Sequence, residues 1–223
     1  MTFSIVARDA DGAFGSAICS SSPAVAARCV SLADGVGAVH SQNVTDPRLG
    51  PAVIDRLRRG TTAQEALDAV TADAADIAYR QLLVVDAAGG TAVYSGERAL
   101  GVFGDARGEG VAAGGNMLAN ADVPRLMVEA FARAGGDLEY RLLAGMQAAM
   151  AAGGEAGPVH SAGLAVVRGA GWRVTDLRVD WTEGDPVSEL DALLRRWMPQ
   201  RDDYVARALN PAGAPSYGVP GDE

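Results

Sequence analysis

The sequence predicts an α+β fold built as a four-layer αββα sandwich, two stacked and mostly antiparallel sheets with helix pairs on their outer faces. Apolar-alternating segments come in couples joined by short turns containing glycine, the pattern of antiparallel hairpins. Between the couples lie two helical segments in succession, whereas a doubly wound parallel sheet alternates single strands with single helices. Small residues crowd the strands, which suits close approach of a second layer or a ligand to the backbone.

The first hairpin joins Phe3-Ser4-Ile5-Val6-Ala7 to Ala13-Phe14-Gly15-Ser16-Ala17-Ile18-Cys19 around the turn Asp9-Ala10-Asp11-Gly12. A glycine-broken strand runs from Gly35 to Gln42. Helical spacing then unites Val53, Ile54 and Leu57 after Pro51, and Ala63, Ala66, Leu67 and Val70 after the capping residues Thr61-Thr62. The segments 81–86 and 91–95 flank Ala87-Ala88-Gly89-Gly90 as a second hairpin, and a short strand at 110–113 leads into Gly114-Gly115-Asn116-Met117-Leu118. Val123, Leu126, Met127, Ala130 and Phe131 mark one helix, Gly135-Gly136 ends it, and Leu138, Leu142, Met146 and Met150 mark the next. Strands at 162–167 and 176–180 turn at Gly169-Ala170-Gly171, and a further helix carries Val187, Leu190, Leu194 and Trp197. Residues 1–200 read as a single domain, and 201–223 as a C-terminal extension that is partly irregular because Pro, Gly and Ala dominate from Asn210.

A chain of 223 residues, 48% hydrophobic and 21% charged, is long enough to bury a substantial core. The formal net charge of −9 opposes binding to nucleic acid or to an anionic membrane face, since both need a basic patch. No lysine occurs, so all 19 basic residues are arginines, and Schiff-base chemistry or a lysine general base is excluded. Cys19 and Cys29 read as small buried apolar side chains, and with His40 and His160 they do not have the spacing of a zinc site. No metal or other cofactor is implied. With no basic leader and no long apolar run, the expectation is a cytoplasmic protein acting on a small-molecule substrate or ligand, with a homo-oligomer left open.

Thr2 opens the first strand. Removal of Met1 would place a hydroxyl nucleophile and a free α-amine on one residue, and the amine, with an ordinary pKa of roughly 7.7–8.0, could take the hydroxyl proton during attack on a carbonyl. Retention of Met1 would bury that amine in a peptide bond. Asp9 and Asp11 have the composition of a paired-carboxylate site, but beside Gly12 they are expected to form the turn. His160 and Ser161 are adjacent on an extended segment and so diverge, which disfavours a direct His-Ser couple; Ser161 is kept as a site hydroxyl. Gly108-Glu109-Gly110 lacks the lysine of a phosphate-binding loop.

Four separate segments together resemble the bacterial family known as domain of unknown function 1028. They are Thr2 to Asp9, Gly37-Ala38-Val39-His40-Ser41-Gln42, Gly108-Glu109-Gly110 with Gly115-Asn116-Met117-Leu118, and Glu155 to Leu164. The resemblance runs from Thr2 to about Trp197. It implies the fold of the Ntn-hydrolase superfamily, whose members cleave amide bonds with an N-terminal Thr, Ser or Cys; here only Thr2 stands at that position. The chain departs from the many members that keep a lysine near the nucleophile, and Arg8 or Arg28 could replace only its electrostatic role.

On that reading Thr2 is the catalytic nucleophile and Asn116, among glycines, supplies a side-chain donor to the oxyanion. His40 and Gln42 point to one face of their strand and are expected to bind substrate together with Arg8 and Ser161. Two functions follow: an N-terminal threonine amidohydrolase forming an acyl-enzyme on a small amide or peptide-like substrate, or a non-catalytic Ntn-like protein that holds a small ligand between its sheets.

Overall fold

The computed structural model describes residues 2–219; Met1, whose removal the catalytic reading requires, lies outside the described residues. Strands β1 (Thr2–Arg8) and β2 (Phe14–Ser20) form the first hairpin, and a short helix α1 (Val25–Cys29) leads into β3 (Val30–Ala33) and β4 (Gly37–Asn43). Helices α2 (Leu49–Leu57) and α3 (Ala63–Asp73) precede β5 (Arg80–Asp86), β6 (Thr91–Ser95), β7 (Gly104–Gly108) and β8 (Val111–Asn116). Helices α4 (Val123–Arg133) and α5 (Leu138–Ala151), strands β9 (Ser161–Val167) and β10 (Arg173–Val179), and helices α6 (Pro186–Trp197) and α7 (Arg201–Leu209) complete the order.

Two antiparallel sheets result, a six-stranded one in the order β10-β9-β2-β1-β8-β7 and a four-stranded one in the order β3-β4-β5-β6. Because strand side chains alternate between faces, each sheet is apolar on both sides and three core layers form. Phe3, Ile5 and Ala7 pack with Met127, Leu142 and Leu190 beneath α4, α5 and α6. Val39, Leu82 and Val84 pack with Val53, Leu67 and Val70 beneath α2 and α3. Val6, Phe14, Ala38, Leu83 and Val85 fill the space between the sheets. The sandwich predicted from the sequence is therefore present, with α6 added beside the expected helix pair.

Local chemistry explains the ends of these elements. Thr62 caps α3 by accepting the Glu65 N–H at 3.2 Å while Glu65 Oε2 accepts the Thr62 N–H at 2.9 Å, a reciprocal capping box. Asp9 Oδ1 accepts the Ala13 N–H at 2.8 Å and Gly12 has φ +87°, so the first turn consumes Asp9 as expected. Four elements were not foreseen: α1, β3, the polar edge strand β7, and α7. The last lies within residues assigned to the extension, and its Arg201 Nη1 donates to the fully buried Glu139 at 3.1 Å. Among the described residues no helix is long and apolar enough to cross a membrane.

Candidate functional site

Alternation along β1 turns Thr2 and Ser4 towards the opposite sheet, on the same side as Val6. Thr2 is 4% exposed and stands opposite Asn116 in the β1–β8 register. Close approach here requires glycine before the asparagine: a Cβ on Gly115 would lie 2.9 Å from the Thr2 carbonyl oxygen and 2.6 Å from Leu118 Cδ2. The left-handed residue of this passage is Met117, at φ +49°, so Asn116 retains strand geometry and its side chain stays between the sheets.

A buried chain of polar side chains crosses the gap. Ser4 Oγ donates to Gln42 Oε1 at 2.6 Å, Gln42 Nε2 donates to Gln81 Oε1 at 2.9 Å, and Asn116 Nδ2 donates to the same oxygen at 3.3 Å. Gln81 Nε2 faces the Gly115 and Gly104 carbonyls at 3.1 and 3.4 Å, which fixes its orientation because carbonyls only accept. Among the described residues, one of the two Asn116 amide hydrogens is thus engaged, the other has no acceptor, and Asn116 Oδ1 has no hydrogen-bond partner.

Glu155 closes the same end of β1. Its backbone bridges Leu118, the Ala119 N–H donates to the Gly154 carbonyl at 3.0 Å, and the Ala156 N–H donates to the Met117 carbonyl at 2.9 Å. Gly154, at φ +56°, lies against the Phe3 ring, where a Cβ would come within 3.2 Å. The carboxyl is 4% exposed; Oε1 accepts the Ser21 N–H at 3.2 Å and Oε2 has no partner among the described residues. Burial pushes this carboxyl up to about 7, against the smaller downward pulls of the positive amino terminus and of the Ser21 N–H.

His40 shares the face of Gln42, as alternation requires, and Ser41 points the other way to donate to the Asp46 carbonyl at 2.9 Å. His40 is completely buried, one pleat along β4 towards Ala38, and neither ring nitrogen has a partner among the described residues. Burial, helped by the charge of Arg173, lowers its pKa to about 3, so the imidazole is neutral at physiological pH. It lines the inter-sheet layer beside the polar chain rather than an opening to solvent.

Two expected site residues lie apart. Arg8 ends β1 six residues from Thr2, about 20 Å along an extended strand. Ser161 occupies the right face, but its Oγ donates to the Ser22 carbonyl at 2.6 Å and accepts the Val25 N–H at 3.3 Å, so it staples the turn after β2. His160 stacks on Trp181 at 4.3 Å and donates from Nδ1 to the Thr182 carbonyl at 2.7 Å, away from Ser161. Cys19 and Cys29 are free and buried, and burial raises both thiols above their usual range.

The family model of the family of unknown function DUF1028 matches residues 2–190. The chain belongs to that family. This DUF1028 protein is similar to protein SPO2555 from Silicibacter pomeroyi, whose crystal structure superposes with a TM-score of 0.85 at 29% identity, covering 92% of this chain and 94% of that one. The ancestral beta-subunit Anbu from Yersinia bercovieri aligns over 88% of this chain and 97% of its own, with a TM-score of 0.40 and 9% identity, a likeness too low to bear on function. None of the curated proteins matches.

Two residues of the candidate site, Gln81 and Glu155, were given no role by the sequence. Gln81 looked like the first residue of an ordinary strand, and only the pairing of β4 with β5 sets it opposite Gln42. Glu155 did carry a signal: it is the single formally charged residue between Arg141 and Arg168. A lone carboxylate in so apolar a stretch is exposed in a loop or buried for a purpose, and composition does not choose between them.

Proposed function

We propose that this protein is an N-terminal threonine amidohydrolase that cleaves a small amide or peptide-like substrate through an acyl-enzyme on Thr2. The observation that carries the reading is that Thr2 stands opposite Asn116 at the start of β1, while the buried Glu155 carboxyl is held by the Ser21 N–H just past the end of β2, the strand paired with β1. The αββα layering agrees with the Ntn-hydrolase resemblance, which is a fold-level support only.

In this mechanism the Thr2 hydroxyl oxygen bonds to the substrate carbonyl carbon and its proton passes to the Thr2 α-amine. The available Asn116 N–H stabilises the new oxyanion. The ammonium then protonates the departing amine as the C–N bond breaks, leaving an ester on Thr2. Water, deprotonated by the same amine, hydrolyses that ester and restores the hydroxyl. Glu155 orients the amine, and burial raises its carboxyl from the ordinary carboxylate range towards the range in which an amine exchanges protons. Thr2 is 4% exposed, and the mechanism requires removal of the residue bonded to its nitrogen, because only then is the amine free.

Intact-mass measurement of protein from its native host, followed by reaction with an electrophilic β-lactone, tests the proposal. The expected result is a chain lacking Met1 that gains one adduct at Thr2, and a Thr2→Ala variant that folds but gains none. A Met1-capped chain throughout, or labelling that survives Thr2→Ala, removes the hydrolase assignment and leaves the ligand-binding alternative, which the near-complete burial of Thr2 favours.

A further inference from the structure

We propose that the cavity at the far end of β1, between Arg8 and Arg141, binds the oxyanion of a small carboxylate- or phosphate-bearing molecule. The cavity has a volume of about 400 Å³ and is formed where the turns after β1, β5 and β7 meet the α4–α5 pair. It is distinct from the Thr2 site, because Arg8 is the last residue of the strand that Thr2 begins.

Both guanidinium groups are half-buried and held in place, yet neither forms an ion pair among the described residues. Arg8 Nη1 donates to the Asp9 carbonyl at 3.1 Å, which uses one of its donors. Arg141 lies over the Phe131 ring with its guanidinium carbon 4.1 Å from the centroid, and its Nε reaches the Phe131 carbonyl at 3.5 Å. One face is stacked and Nε is engaged, which leaves the two terminal nitrogens of this cavity-lining residue as a planar fork suited to carboxylate or phosphate.

The carboxylates nearby do not satisfy these cations. Asp9 is held by the Ala13 N–H at 2.8 Å and faces Arg168 at 3.6 Å. Glu109 borders the cavity but is exposed, where solvent screens its charge. Phe131, Val111 and Val128 supply an apolar wall, so the fitting ligand has an anionic head and a small apolar body. The lining is formally neutral, Arg8 and Arg141 against Asp9 and Glu109, but Arg168 faces Asp9 and solvent screens Glu109, which leaves the two arginines to attract an anion into the cavity.

Calorimetric titration of the full chain at low ionic strength with succinate, and separately with inorganic phosphate, tests this. Saturable one-site binding of succinate alone identifies a carboxylate site, and of phosphate alone a phosphate site. Binding of both identifies a general oxyanion site. In each case Arg8→Met and Arg141→Met are expected to weaken binding about tenfold each, with Thr2→Ala without effect. Methionine preserves the apolar contact with Phe131, and melting curves establish that each variant folds. Absence of saturable binding of either probe up to about 10 mM, or binding that persists in both arginine variants, overturns the proposal whatever the fate of the Thr2 reading.

Discussion

Asn116 is the last residue of β8 and stands directly opposite Thr2, the first residue of β1, with both side chains turned into the layer between the sheets. An amide fixed at that position by Gln81 has one N–H engaged and one without a partner among the described residues, the donor that the proposed mechanism directs at the oxyanion.

Asn116→Ala is therefore expected to slow acylation of Thr2 by a β-lactone by about 10²–10³-fold, the usual consequence of deleting one oxyanion donor. The loss of its bond to Gln81 should lower stability by only about 1 kcal/mol. Stopped-flow acylation and urea unfolding measure the two effects separately, and an unchanged acylation rate would remove Asn116 from the site.

Gly115→Ala should act on the same site through the backbone. The added methyl would meet the Thr2 carbonyl oxygen at 2.9 Å and Leu118 Cδ2 at 2.6 Å, so either β1 or Leu118 must shift. A loss of about 1–3 kcal/mol is expected, together with slower labelling of Thr2. Full stability in this variant would contradict the close approach of β1 to β8.

Glu155 and His40 give opposite pH dependences. Burial raises the Glu155 carboxyl from 4.5 to about 7, so in that window the folded chain keeps a proton that the unfolded chain releases. Stability from this group is full below pH 4.5 and falls by about 3 kcal/mol as pH rises to 7. Burial lowers His40 from 6.5 to about 3, so its contribution is full above pH 6.5 and is lost as pH falls towards 3. Between pH 4.5 and 6.5 the two slopes oppose one another. Urea midpoints should therefore rise with pH in Glu155→Gln and fall with pH in His40→Gln across that range, and parallel profiles would count against both assignments.

Arg201→Ala should unfasten α7. Glu139 is fully buried and accepts Thr175 Oγ1 at 2.9 Å, Arg201 Nη1 at 3.1 Å and Arg168 Nη2 at 3.5 Å. Removing Arg201 leaves a buried carboxylate with its weaker cation only, a loss of about 3 kcal/mol. The guanidinium chloride midpoint measures it, and a Glu139→Gln, Arg201→Met double variant should recover part of the loss, since no charge then remains to be satisfied.

How much was legible follows from the range of the forces involved. The hairpin turns at Asp9–Gly12 and Ala87–Gly90, the Thr62 cap and the apolar spacing of α4 and α5 are decided by neighbours within a few residues, so the sequence displays them. Strand alternation likewise assigned His40 and Gln42 to one face before their partners were known. Strand β7, Gly-Asp-Ala-Arg-Gly, has no apolar pattern because it is an edge strand held by its pairing with β8. Helix α7 is strongly charged, and its buried contact is made by Arg201 to a residue far away in sequence.

The sequence by itself determined the hairpins, the helix pairs and hence the layered fold, and its composition excluded lysine chemistry. Only the tertiary structure decided which polar groups share a space. It joined Gln81 and Asn116 through β5 and β8, brought Glu155 to the start of β1, and separated Arg8 from Thr2 by the length of one strand. The physical reason is that side-chain direction is set locally by backbone geometry, whereas meeting across two sheets depends on register and layer packing between segments dozens of residues apart.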